Sequence, residues 1–254
     1  MASGDPVAAL AGIDRDAYVA TLMAPAAARP HLAALHAFAA EIAAIPSRVR
    51  EPMAGMVRLQ WWRDALSAGA ATGNPVADAL ISTIAALGLP LEPFLGMLEG
   101  RSFDLYDDPM PGRTQLEGYL GETRSALIQV ACMILSPANA PDMAEKSGHA
   151  GCALGMGQMV AGLAEGRGGA LVPLDILAAT GVAPDALAAG VPAPVREALS
   201  ALAREHLAKA GTVPSEFRPA FAMAALARPL LAGVRPSALR RQWTMTRFAL
   251  TGRL

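Results

Sequence analysis

The chain has 254 residues, 53% of them hydrophobic and only 17% charged, with a net charge of −1. Near-neutral balance and scattered cations exclude nucleic acid as a partner. Two cysteines, Cys132 and Cys152, are too few for a disulfide framework, which makes the cytoplasm the expected compartment.

Much of the hydrophobic excess is alanine, which favours helix and close helix packing, so the expected fold class is all-α. Asp14 and Asp16 lead a short helix to about Met23, which Ala24-Pro25 ends. The N-terminal MASGDPVAALAGIDRD has no basic region followed by a long apolar core, so no signal peptide is expected. Pro30 opens a helix to about Ile45, with Leu32, Leu35, His36, Phe38 and Ile42 at helical spacing, and Pro46 ends or kinks it. The next helix, Glu51 to Leu66, reads EPMAGMVRLQWWRDAL and holds two of the three tryptophans. Pro52 suits a first helical turn. Spacing puts Met53, Val57, Trp61 and Asp64 on one stripe and Arg58, Trp62 and Leu66 on the next, so burial over a wide arc is expected.

Gly69 to Asn74 is a loop, Pro75 starts a helix to about Leu87, and Gly88-Leu89-Pro90 stops it. Leu91 to Tyr106 reads as helix with a break at Gly100, and Asp107 to Gly112 as a turn. Thr114 to Leu135 is a long helix, with Thr114 and Glu117 as a capping box. After a Pro-rich loop, Asp142 to Leu163 carries Ser147, Gly151 and Gly155 at spacing four, then Gly157 and Gly162. Glycine inside a helix costs about 1 kcal/mol relative to alanine. Its repetition implies close approach of another helix or of a ligand, and both stay open. Gly166 to Gly169 is a loop. Pro173 to Ala179 and a turn in Gly181 to Val191 follow, then helices Pro194 to Ala210, Pro214 to Leu231 and Pro236 to Leu250. Roughly ten helices and no linker make residues 1–254 one all-α domain. Ser125 to Pro141 and Ser147 to Ala164 lack charge, but prolines in the first and Gly/Ala content in the second favour buried helices over membrane spans.

Chemistry-bearing residues are sparse. Asp104, Asp107 and Asp108 form the only acidic cluster. It suits a Mg²⁺ bridging to a diphosphate, or a helix end and turn. His149 and Cys152, with Cys132 on the previous helix, lack a fourth ligand for zinc. Gly166-Arg167-Gly168-Gly169 follows a helix and not a strand, so it is no P-loop. Taken alone, these residues form no catalytic constellation.

Several segments resemble the squalene and phytoene synthase family. Leu35 to Ile45 (LHAFAAEIAAI) and the tryptophan helix match its "YAFCR-x-VDDxxDE" and "KLxxWRxxL" segments. Asp104-Leu105 resembles the Asp after its middle helix, and Gly118-Tyr119 with Thr123 its "Y-C-x-x-x-A-G" helix start. HAGCALGMGQMVAGL (His149 to Leu163) is similar to "LGxALQLTNILRD". Gly166-Arg167 with LVPLDILAATGV (Leu171 to Val182) is similar to "GRxYLPxDLLxxxGV". The resemblance implies an isoprenoid synthase-like fold of a single all-α domain around a central apolar cavity. It implies two facing Asp-rich helices that hold Mg²⁺ on prenyl diphosphates.

Both carboxylate sets are missing here. Ala43, Ala44 and Ser47 stand at the first motif's aspartates, and Gln158, Ala161 and Gly162 at the second motif's "N-x-x-R-D" positions. The pattern retained resembles the branch typified by the mitochondrial complex I assembly factor, which lacks the aspartates. The resemblance thus implies a non-catalytic relative with no cofactor, bound to an isoprenoid or other lipid or to a respiratory-complex subunit. Two alternatives remain. One is an active prenyltransferase, with Mg²⁺ held by Glu41, Asp64, Asp104 or Glu165. The other is an isoprenoid or lipid carrier. Contact of one face with a membrane is left open. The candidate cavity and anion-binding residues are Glu41, Arg58, Trp62, Arg63, Asp104, Tyr119, Gly155, Gln158 and Arg167.

Overall fold

The computed structural model describes residues 6–106 and 108–254. Asp107 of the acidic cluster therefore lies outside the described residues, as do residues 1–5. The chain opens with α1 (Pro6–Ile13), which the sequence reading passed over, and α2 (Arg15–Leu22). Asp14 caps α2 by accepting from the N–H groups of Asp16 and Ala17, both at 3.0 Å. Next come α3 (Arg29–Ala43) and the single turn α4 (Ile45–Arg48) at the expected Pro46 kink.

The tryptophan helix is α5 (Pro52–Ala68), closed by Gly69 at φ 62. Its expected buried face is corrected. Met53 is 71% exposed, and Val57 and Trp61 on the same stripe also face out. Gly55, Leu59, Trp62, Ala65 and Leu66 are the side that packs inward. The inward side keeps Trp62 and Leu66 of the second expected stripe but not Arg58, which is exposed, and the Leu105 side chain lies against Gly55 on it.

Asn74 caps α6 (Pro75–Leu87). α7 (Glu92–Ser102) gives way to a 3-10 turn, Phe103–Leu105, so the break falls three residues after Gly100. The long helix expected from Thr114 to Leu135 is α8 (Arg113–Leu120), a π turn (Gly121–Ser125) and α9 (Ala126–Leu135). The capping box is absent. Gly112 is the cap residue, and Asp175 accepts from the Arg113 N–H at 2.9 Å. Glu117 instead meets the Arg113 guanidinium at 2.6 Å.

α10 (Ala144–Ala164) runs through the middle, packed on α9, the π turn, α12 (Ala193–Ala210) and α14 (Ala227–Leu230), with α11 (Leu174–Thr180) outside α12. The small residues of α10 act mainly in helix packing. A Cβ on Gly151 would lie 2.5 Å from the Ser125 backbone, and one on Gly157 2.9 Å from the Ala227 carbonyl oxygen. The region expected as one helix from Pro214 to Leu231 is broken into α13 (Arg218–Phe221), α14 and 3-10 turns. Pro214, Pro219 and Pro229 cannot donate to a helical ladder, and Arg218 turns away to the Ala249 and Leu250 carbonyls of α15 (Ala238–Thr251). Arg241 of α15 meets Asp16 of α2 at 2.9 Å, which joins the two ends of the fold.

These helices form one all-α domain, with fifteen α segments among the described residues. More were found than the ten expected because α1 was not anticipated, the π turn divides one expected helix into α8 and α9, and the single turns α4, α13 and α14 carry no periodic signal. The largest hydrophobic cluster centres on Phe38, Phe94, Phe217 and Phe221, and a second on Leu116, Met156, Leu163 and Leu199. No helix of the described residues is long and apolar enough to cross a membrane.

Candidate functional site

Between the α3–α4 corner, the start of the π turn and the second half of α10 lies a cavity of about 350 Å³. Ala43, Pro46 and Ser47 form one side and Gly155, Gln158, Met159 and Gly162 the opposite side. These include Ala43, Ser47, Gln158 and Gly162, four of the six positions that the resemblance sets at the altered motifs. Leu120 and Leu171 add apolar wall. A second cavity of about 450 Å³ adjoins it, and Arg124, Gln158 and Arg235 line both.

The polar wall is cationic. Arg101, Arg124, Arg167 and Arg235 line the cavity, against one carboxylate, Asp104. Arg101 is buried and donates to Asp104 Oδ2 at 2.7 Å and to the Tyr119 hydroxyl at 3.0 Å. Tyr119 in turn donates to Asp104 Oδ1 at 2.6 Å. Burial pushes the Tyr119 phenol up to about 12, with the Asp104 charge acting in the same direction, so it stays a donor. Arg124 has no ion-pair partner among the described residues. Packing around its guanidinium, and then repulsion from Arg101, draws it down to about 10, still charged at neutral pH. Arg124 stands within the π turn, where the Thr123 hydroxyl beside it bonds back to the Tyr119 carbonyl at 2.7 Å. One end of the Gln158 amide, Oε1, is buried without a hydrogen-bond partner. The lone guanidinium suits an anionic group, and the Gln158 oxygen, an acceptor, suits a hydroxyl or another donor beside it.

Five of the nine candidate residues line this cavity: Asp104, Tyr119, Gly155, Gln158 and Arg167. The other four stand elsewhere. Glu41 is turned to Arg48 at 2.7 Å, and Arg63 to Glu99 at 2.9 Å on an exposed face. Arg58 is exposed on α5. Trp62 is buried edge-on against Phe38, with ring centroids 5.2 Å apart, so it is core. Arg101, Arg124 and Arg235 were missed by sequence reasoning. Of these, Arg101 carried a signal, standing three residues before Asp104 on one helix face.

The chemistry of the donor set does not fit Mg²⁺. The ion takes about six oxygens in near-ideal octahedral geometry, normally with carboxylates among them. Asp104 has each oxygen engaged, by Arg101 and by Tyr119. Of the other acids proposed for a rearranged site, Asp64 accepts from Gln60 on exposed α5 and Glu41 is paired with Arg48. Glu165 is clamped by Arg167 and by Arg235, and the Arg167 hydrogen bond holds its carboxyl below the usual range. That rearranged site is not assembled. Nor do the cysteines make a zinc site: among the described residues no three His, Cys, Asp or Glu side chains are placed to hold a metal.

A model of the squalene/phytoene synthase family matches residues 10–247. The chain belongs to that family. Three solved structures share its fold. A dehydrosqualene synthase in complex with ligand superposes with TM-score 0.79 at 17% identity, over 96% of this chain and 95% of that one. The squalene synthase HpnC from Alicyclobacillus acidocaldarius gives 0.71 at 20% identity, over 98% and 94%. YisP from Bacillus subtilis gives 0.69 at 12% identity, over 96% and 94%. Among curated proteins, the chain is similar to NADH dehydrogenase (ubiquinone) complex I, assembly factor 6. The Bos taurus protein is 29% identical and the Homo sapiens protein 27%, each over 125 residues. The match spans 48% of this chain and 38% of each relative, so the chain covers well under half the length of these relatives.

Proposed function

We propose that this chain is a non-condensing member of its family that acts in the assembly of respiratory complex I, its cavity holding an anionic, lipid-like ligand on arginines in place of a metal-bridged diphosphate. The observation that carries the reading is the inversion of charge at the cavity. Four arginines line the wall, and with Arg101 paired to Asp104 and Arg167 and Arg235 to Glu165, Arg124 is the cation left unpaired among the described residues. Cations bind an anion without a metal but supply no ion to leave with a diphosphate, so ionisation of a prenyl donor loses its Lewis acid. Similarity to the assembly factors of animal complex I supplies the class of partner, a respiratory-complex subunit. The apolar wall of Leu120, Met159 and Leu171 suits the tail of an isoprenoid or acyl chain.

Two experiments test this. Deletion of the gene in its source organism lowers assembled complex I on native gels, and assembly at the parental level overturns the partner reading. Thermal unfolding with farnesyl diphosphate reports on the cavity. Metal-independent stabilisation, about 2.7 kcal/mol at 100 times Kd, that is lost in Arg124→Leu supports the ligand reading. Stabilisation that requires Mg²⁺, with product formed, overturns the non-condensing reading.

A further inference from the structure

We propose that the outer face of α15 is a docking surface for an anionic phospholipid bilayer. From Phe217 to Leu254 the sequence holds seven arginines and no aspartate or glutamate, in a chain whose net charge is −1. The cations are thus not scattered, as the composition suggested, but concentrated in the C-terminal segment. Three of them are used internally: Arg218 on the α15 carbonyls, Arg235 on Glu165 and Arg241 on Asp16. The other four, Arg228, Arg240, Arg247 and Arg253, have no ion pair among the described residues.

Those four surround a cleft of about 310 Å³ between α14 and α15, with the Trp243 ring as part of its wall. The cleft has the size and charge for phosphate headgroups. Beside it, α15 presents an apolar edge. Leu239, Trp243 and Leu250 follow the helical repeat and are 79%, 70% and 76% exposed. At 100° per residue these three fall within a narrow arc, and Arg247 and Arg240 lie next to it. The opposite side is fixed to the protein by buried Met245 and Phe248. Thr244 and Thr251 spend their hydroxyls on carbonyls of their own helix, so they do not compete for the arginines.

An apolar edge with a tryptophan, flanked by cations on a helix held parallel to the protein surface, is the pattern of an interfacial helix. A protein partner is disfavoured because the edge is three side chains long, against roughly 20–30 residues a side in a stable protein interface. The charge complement of four free guanidiniums is an extended anionic plane, which a bilayer containing phosphatidylglycerol provides.

The test is flotation of the full chain with vesicles of phosphatidylcholine alone and of phosphatidylcholine mixed with phosphatidylglycerol. The expected result is binding to the mixed vesicles, weak binding to the neutral ones, and release as salt is raised. The double variant R240E/R247E lowers the partition coefficient at least 25-fold, about fivefold for each arginine removed. The variant L239S/W243S lowers it as well. Thermal melts of both variants match the parent because all four side chains are exposed. No binding to mixed vesicles, equal binding to the two compositions, or variants that bind like the parent each overturn the proposal.

Discussion

The Nδ1 atoms of His149 and His206 lie 3.0 Å apart across the α10–α12 interface. One ring must donate and the other accept, so the contact is made only while at least one of them is neutral. His206 turns its other nitrogen to Glu117 at 3.2 Å. Burial, and then the neighbouring His206, holds the His149 imidazole below its ordinary value. We expect the His149 ring to titrate below an ordinary imidazole in a proton NMR titration, and His206→Asn to relieve part of that depression. A His149 that titrates at the unperturbed position would refute the contact.

Acid lability is expected from His36. Burial lowers its imidazole to about 4 from 6.5, against a smaller opposing effect of Asp14. Between these two values the unfolded chain binds a proton that the folded chain refuses, so stability falls as pH drops from 6.5 towards 4 and the loss levels off below that. The loss is about 3 kcal/mol at full extent. Urea titrations at successive pH values check it, and His36→Leu should flatten the slope across this window. A variant with the parental slope would show that another group is responsible.

Asp104→Asn leaves Arg101 buried without its counter-charge, which should cost about 3 kcal/mol or more. The double variant R101M/D104N should recover much of that loss. Additive losses in a double-mutant cycle, measured by denaturant unfolding, would show that the pair is not coupled.

Trp62→Ala should cost about 3–5 kcal/mol, because it opens a cavity beside Phe38, whereas Trp61→Ala should change stability by about 0.5 kcal/mol or less. The neighbours differ only in which side of α5 they occupy. Equal effects in thermal melts would mean that the helix is rotated from the orientation described.

Two glycines of α10 make a matched pair. At Gly148 a Cβ has nothing within 4 Å, and Gly148→Ala should stabilise by about 1 kcal/mol at most. At Gly151 the same methyl meets the Ser125 backbone at 2.5 Å, and Gly151→Ala should separate α10 from the π turn at a cost of roughly 1–3 kcal/mol. Melting temperatures that move in the same direction would count against the packing described.

Most helices were legible because their signals are local. Proline at the first turn and Asn or Asp at the cap mark starts, and Gly69 and Gly88 mark ends. Ala43, Ser47, Gln158 and Gly162, which the resemblance sets at the two altered motifs, all line one cavity. The cations were harder to read. Arg124 stands in a π turn, a shift of one residue within a helix that no periodicity encodes, and Arg235 approaches from far along the chain. The orientation of α5 was misjudged because Met53, Val57 and Trp61 repeat as regularly as the buried set, and sequence spacing does not distinguish an outward apolar stripe from an inward one. Glu117 was read as a cap because the acceptor at that helix start, Asp175, is 62 residues from Arg113, which leaves Glu117 to the Arg113 guanidinium and to His206.

The contact of Asp16 with Arg241 spans 225 residues. During synthesis α2 can pack on α1 and α3 soon after they emerge, but the Asp16 carboxylate must wait for its partner until α15 has left the ribosome. Synonymous codon changes that slow the ribosome just before α15 should therefore lengthen the interval in which the two ends of the fold are not yet joined.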